Sequence, residues 1–195
     1  MLKSNLLPAL GVLVLLATSG QAQAAKFTLC KGTYALCTSA ACTPVAGKEG
    51  TVSCACEVKT GYSAGRDACQ PAKDTGEGQQ VQSRYYPVKS LAICANDRPW
   101  ANCLDKPCIV DEADPAKAKC ACTTLNDQGP YVIVGDTYTP STCTTGIISS
   151  ATVVDHERIT DFLKTTTELK PFAIKVLNPS QSERRFEPTG GKTSK

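Results

Sequence analysis

Apolar and polar positions along the chain fall into a few patterns, each predicting a different kind of element. From Leu6 to Ala17 the chain is almost continuously apolar, broken only by Pro8 and Gly11, and Met1, Leu2 and Lys3 give it a short positive start. That run is shorter than the roughly 20 residues a bilayer-crossing helix needs. Followed by the small-x-small pattern Ala22-Gln23-Ala24, it reads as a signal peptide over residues 1–24, cleaved after Ala24 and leaving no membrane span in the mature chain.

Beyond the leader, apolar residues alternate with polar ones more often than they cluster. Val52-Ser53-Cys54-Ala55-Cys56 and Ala118-Lys119-Cys120-Ala121-Cys122 both read as strands. Residues i and i+2 of a strand share a face, so both sulfurs of each C-x-C enter one core. Their parallel side chains are badly placed to close on each other, and each thiol is expected to reach a different loop cysteine. Cys120 to Leu125 and Tyr131 to Val134, either side of Asn126-Asp127-Gln128-Gly129, predict a β-hairpin. Residues 71–83, with Lys73-Asp74-Thr75-Gly76-Glu77-Gly78-Gln79-Gln80 at their centre, have nothing to bury and predict a linker.

The pattern changes after residue 145. Thr152 is a candidate N-cap, Asp155 is favourable in the first helical turn, and Ile159, Phe162, Leu163, Thr166 and Leu169 fall on one helical face. Pro171 should end that helix near Lys170, and Phe172-Ala173-Ile174-Lys175-Val176 then alternates like a strand. The helix and strand are expected to cover one module or bridge both. Residues 180–195 are polar and predict a disordered tail.

Cysteine usage organises these elements. The 12 cysteines form two ordered sets, Cys30, Cys37, Cys42, Cys54, Cys56, Cys69 and Cys94, Cys103, Cys108, Cys120, Cys122, Cys143. The second to fifth members of both read C-x4-C-x11-C-x-C without a gap, which favours duplication. Lys26-Phe27-Thr28-Leu29-Cys30 is echoed by Lys89 to Cys94, and Gly61-Tyr62 by Gly129-Pro130-Tyr131. The copies differ mainly by about eight extra residues after the second C-x-C, an insertion expected in an exposed loop. Module one is therefore placed at residues 25–70, module two at 84–145, and a helix-strand tail at 146–179. An even, high cysteine count behind an export signal reads as a disulfide framework using all twelve, because compartments beyond the membrane are oxidising. Six cysteines allow 15 pairings, among which sequence does not choose. The fold class that follows is small, disulfide-rich and mainly β: two tandem six-cysteine modules with short antiparallel hairpins, then a short C-terminal helix and strand.

Composition and motifs narrow the function. A formal net charge of +3, with acids and bases interleaved, gives no footprint for nucleic acid. C-x-x-C is absent, so neither a redox nor a zinc motif is expected, and no metal or cofactor is assigned. His156 is the single histidine, and no G-x-S-x-G, H-E-x-x-H or phosphate-cradling glycine loop accompanies it. It is read as a surface residue, and no catalytic residue is assigned. Asp111, Glu112 and Asp114 read as a solvated turn rather than a Ca²⁺ loop. Trp100 is expected to cover a disulfide, while Tyr85, Tyr86, Tyr131 and Tyr138 divide between core and recognition roles. The leading expectation is an exported, secreted or periplasmic, non-catalytic binding or structural protein whose partner is a protein or envelope component. One alternative is a secreted protease inhibitor presenting Leu104 to Pro107 with Lys106 as anchor. The other is a cysteine-dependent metal-binding or redox protein, which would carry free thiols.

Overall fold

The computed structural model describes residues 26–95, 98–126 and 129–179; the leader, the tail from 180 and the centre of the Asn126–Gly129 turn lie outside them. Among the described residues, twelve strands occur in the order β1 (Thr28–Leu36), β2 (Ala41–Pro44), β3 (Thr51–Gly65), β4 (Lys73–Thr75), β5 (Gly78–Gln82), β6 (Ser90–Cys94), β7 (Trp100–Asn102), β8 (Pro107–Val110), β9 (Lys117–Leu125), β10 (Tyr131–Val134), β11 (Ile147–Ser150) and β12 (Lys175–Val176). The helix α1 (Val153–Lys164) lies between the last two, and a short 3-10 turn covers Pro140–Cys143. Nine strands form one sheet and β10, β6 and β12 a second. The fold is thus mainly β and disulfide-rich, as the cysteine pattern predicts.

All twelve cysteines are paired: Cys30–Cys69, Cys37–Cys56, Cys42–Cys54, Cys94–Cys143, Cys103–Cys122 and Cys108–Cys120. Neither C-x-C closes on itself, and its two sulfurs go to two different loop cysteines. The connectivity is the same in both sets. Cys54, Cys56, Cys120 and Cys122 all point into one buried core, which they share with Ala35, Val52, Val81, Ala101, Val110 and Ala118. Four disulfides and a few small aliphatic side chains thus take the place that large hydrophobic residues hold in bigger domains.

The C-x-C strands are the seam of the molecule. β3 and β9 pair antiparallel, with Cys54 opposite Cys120, Val52 opposite Cys122 and Cys56 opposite Ala118. Residues 37, 42, 54 and 56 stand to 103, 108, 120 and 122 at a constant offset of 66. Applying that offset to the ladder exchanges its two sides and returns the same pairs, as an isologous contact between two like subunits would. Neighbouring strands follow suit: β1 meets β3 at Leu36↔Glu57 as β7 meets β9 at Asn102↔Thr123, and Cys42↔Cys54 matches Cys108↔Cys120.

Each half then crosses to the other. β11 pairs antiparallel with β2 and parallel with β7, so β3, β2, β11, β7 and β9 form a closed cycle. On the other side, β5 pairs antiparallel with β8, and the parallel bridge Ala35↔Ser83 returns the chain to β1. Ser83 and Ser149 hold corresponding places. The Ser83 carbonyl accepts from Asp105 N–H and its N–H donates to Lys106 O, while Ser149 makes the same pair of bonds to Ser39 and Ala40. Asp105 and Ser39 both adopt positive φ, at 59° and 54°.

Three sequence expectations require correction. Residues 71–83 are not a linker: β4 and β5 form a hairpin there, and alternation buries Val81 and Ser83 while Gln80 and Gln82 stay partly exposed. A single apolar residue in a polar stretch carries too little signal for a strand whose inward face is largely serine and backbone. The predicted hairpin of Cys120–Leu125 with Tyr131–Val134 yields both strands but not their pairing. β9 is hydrogen-bonded along both edges by β3, β7 and β8, and β10 pairs with β6 instead. The helix ends at Lys164 rather than near Lys170, where Thr165 and Thr166 turn their hydroxyls back onto Phe162 O.

The helix start agrees with expectation: the Thr152 hydroxyl accepts from Asp155 N–H at 3.0 Å. Ile159 and Leu163 pack with Phe27 and Ala64 of the first half, and Val153 with Leu91, Ile93 and Val132 of the second. The helix therefore bridges both halves.

Candidate functional site

The register of β1 on β3 places Tyr34 opposite Lys59 and Lys31 opposite Tyr62. Chain leaving β5 brings Tyr86, Pro87 and Val88 alongside, and chain leaving α1 adds Leu169, Pro171 and Phe172. Together they line an open groove of about 890 Å³. Tyr34 forms its floor at 5% exposure, and Tyr86, at 45%, stands on its rim as one of the few exposed large apolar side chains among the described residues. Burial, and secondly the nearby Tyr86, push the Tyr34 hydroxyl up to about 12, so it stays protonated and able to donate a hydrogen bond.

The rim is charged. Glu57, Glu168, Lys59, Lys89 and Lys170 surround the aromatic floor. Lys59 Nζ lies 2.6 Å from Glu57 Oε2, and Lys117 lies 3.7 Å from the other oxygen; bonding to Lys59 holds the Glu57 carboxyl below its usual range. With Glu57 matched, Lys89 and Lys170 outweigh Glu168.

Of the residues singled out from sequence, Tyr86 reaches this groove, and Tyr85, packed with Phe27 and Ile159, does not. Tyr131 stacks on Trp100 at 5.8 Å, and both pack with Cys94 and Cys143, so the tryptophan covers that disulfide. Tyr138 is exposed at 37% outside the groove. Tyr34 carried no sequence signal, and Tyr62 and Phe172 were read only as a repeat position and a strand position, because strand register and the course of the chain after α1 are what bring the three together.

His156 is half-buried rather than a fully exposed surface residue. It faces a small cavity of about 30 Å³ between α1 and the two serine strands, lined also by Ser39, Ser83, Ser150, Leu104 and Thr160. Burial, against a weaker opposing effect of Glu157, lowers its pKa to about 4, so it is neutral at physiological pH. Its Nε2 lies 3.4 Å from Thr160 Oγ1. The neighbouring serine hydroxyls are committed to backbone: Ser83 Oγ donates to Cys103 O, Ser150 Oγ to Val132 O, and Ser39 Oγ accepts from Val134 N–H. The space suits a water molecule and is too small for an organic substrate.

The remaining candidates are structural. Asp111 Oδ1 accepts from the amides of Ala113 and Asp114, and Asp114 Oδ1 from Ala116, so these acids shape the β8–β9 turn. Two sulfur triads, Cys37 with Cys56 and Cys120, and Cys54 with Cys103 and Cys122, gather within 4.8 Å, but every sulfur in them is already bonded to another. Lys106 follows a left-handed Asp105 and is hydrogen-bonded through both N–H and C=O to Cys103 and Ser83. A substrate-like inhibitor loop must be extended and free, and this turn is neither.

Arg84 is the residue sequence reading missed. It is 4% exposed, and its Nη1 lies 2.9 Å from Asp105 Oδ1. It also donates to Thr28 O and Asp67 O, and its Nη2 lies 2.9 Å from Cys30 Sγ. Among the described residues, no helix is long and apolar enough to cross a membrane. No protein-family model, curated protein or solved structure matches the chain.

Proposed function

We propose that this chain is an exported, non-catalytic binding protein, built by duplication of a six-cysteine unit, which recognises a protein or envelope component through the Tyr34–Tyr62–Tyr86 groove. The groove itself carries this reading. It combines an exposed aromatic rim, a buried hydroxyl kept protonated, and lysines in excess of free carboxylate, all mounted on disulfide-braced strands. Rigid mounting favours affinity because little side-chain or loop entropy is lost on association.

Six disulfides and no free cysteine support an oxidising compartment, and with the apolar N-terminal run they favour a secreted or periplasmic location. The 66-residue offset supports duplication. The lysine excess favours a partner segment bearing carboxylates. The inhibitor reading has no extended loop to rest on, and the metal reading would first need the core disulfides reduced.

The test places a photo-crosslinking phenylalanine analogue at position 86, with position 73 on β4 as control, in the exported protein in its native fraction. The expected result is a discrete adduct at 86, absent at 73 and abolished by Tyr62→Ala. Equal adducts at both positions, or none that free protein can compete away, would rule the groove out.

A further inference from the structure

The six disulfides are not chemically equivalent, and one of them is set up to react. Four lie in the shared core, and their eight cysteines are all at most 8% exposed. In Cys94–Cys143, Cys94 is buried with Trp100, Tyr131 and Ile133, and Cys143 is partly buried against them. Cys30–Cys69 alone includes an exposed cysteine, Cys69, and both of its residues line an open pocket of about 390 Å³ together with Lys31, Gly32, Pro71, Gln82 and Arg84. Its other cysteine, Cys30, is half-buried, and its Sγ lies 2.9 Å from Arg84 Nη2.

That cation is fixed in place. Arg84 is held by Asp105 Oδ1, Thr28 O and Asp67 O, and Gly65 leaves the room: a Cβ there would come within 2.2 Å of Asp105 Oδ1 and 2.6 Å of Arg84 Nη1. The position corresponding to Arg84 in the second half is Ser150, whose hydroxyl bonds to backbone, and among the described residues the hydrogen-bond partner of Cys143 Sγ is a carbonyl, Ile93 O, rather than a cation. A guanidinium against a sulfur stabilises its thiolate, and a stabilised thiolate leaves a disulfide faster.

We propose that Cys30–Cys69 is a thiol–disulfide exchange site, with Cys69 the sulfur attacked by an external thiolate and Cys30 the leaving group held by Arg84. In the first step the incoming thiolate bonds to Cys69 Sγ, the Cys69–Cys30 bond breaks, and its electron pair stays on Cys30. In the second, another external thiolate attacks the incoming sulfur of the mixed disulfide, and Cys69 departs as a thiolate. Two external thiols are oxidised to one disulfide, and this protein disulfide takes up the two electrons. Arg84 is in direct contact with Cys30 and Lys31 lines the same pocket, while the carboxylates of Asp105 and Asp67 act on Arg84.

The experiment incubates the oxidised full-length mature protein with glutathione buffers of decreasing potential, quenches in acid, and maps thiols and glutathione adducts by mass spectrometry. Cys30 and Cys69 should open while the other five disulfides remain, with glutathione on Cys69, and Arg84→Gln should slow opening about tenfold. Opening of Cys94–Cys143 at the same or lower glutathione, or adducts on Cys30, would overturn the proposal. Should Arg84→Gln not fold, the thiolate absorbance of selectively reduced wild-type protein decides the same point. One thiol is expected to titrate well below about 8.5, the ordinary cysteine value, and two ordinary midpoints would refute the role given to Arg84.

Discussion

Cys54 and Cys120 face each other across the β3–β9 ladder, each the fourth cysteine of its set and each bonded to the third, Cys42 and Cys108. The two halves thus meet as two like subunits would, along the strand that carries both core disulfides of each. β5 and β11 complete the contact by pairing with the other half's hairpin strand.

One consequence is that neither half should fold alone within the boundaries its cysteines suggest. A chain ending at residue 145 lacks β11, which leaves β2 and β7 without their shared partner and breaks the closed cycle. Denaturant unfolding of residues 26–179 should give one cooperative transition. The truncated chain should show weak amide protection throughout, including in β2 of the first half.

The Arg84–Asp105 pair is buried on both sides, with side chains 2% and 9% exposed. Asp105→Ala strands the guanidinium and removes the acceptor of the Arg66 and Asp67 amides. A loss of about 3–5 kcal/mol is expected by chemical denaturation. Gly65→Ala should also destabilise, because its Cβ meets both members of the pair.

His156 should make stability depend on pH. Its folded pKa is about 4, below the ordinary value of 6.5, so the unfolded chain binds more protons between the two. Stability from this group is therefore complete above about pH 6.5 and is lost as pH falls toward 4, by up to about 3 kcal/mol. Urea titrations of the wild type and His156→Gln at intervals from pH 7 to 4 should show that slope reduced in the variant.

Tyr86 makes the opposite kind of prediction. It is 45% exposed on the groove rim, so Tyr86→Ala should change stability by no more than about 0.5 kcal/mol while abolishing partner capture. A thermal melt beside the yield of a pull-down from the native fraction separates the two effects.

Much of this was legible from spacing. The cysteine order predicted two sets, which pair in the same order, the i, i+2 rule disfavoured closure within C-x-C, and Thr152 marked the helix start. What escaped was non-local. β5 and β11 are short, and their inward residues include Val81, Ser83, Ser149 and Ser150, so no hydrophobic alternation announces them. The β9–β10 hairpin failed because local turn chemistry says nothing of partners that already occupy a strand's edges. The groove depends on register, and Arg84 owes its importance to Asp105, 21 residues further on.

The most direct test is a disulfide map of the unreduced exported protein, using stepwise reduction and alkylation to resolve the two C-x-C pairs. It should give Cys30–Cys69, Cys37–Cys56, Cys42–Cys54, Cys94–Cys143, Cys103–Cys122 and Cys108–Cys120, with no free thiol. Any link joining the two sets, or thiols found free or metal-bound, would contradict a core built from two equivalent disulfide pairs.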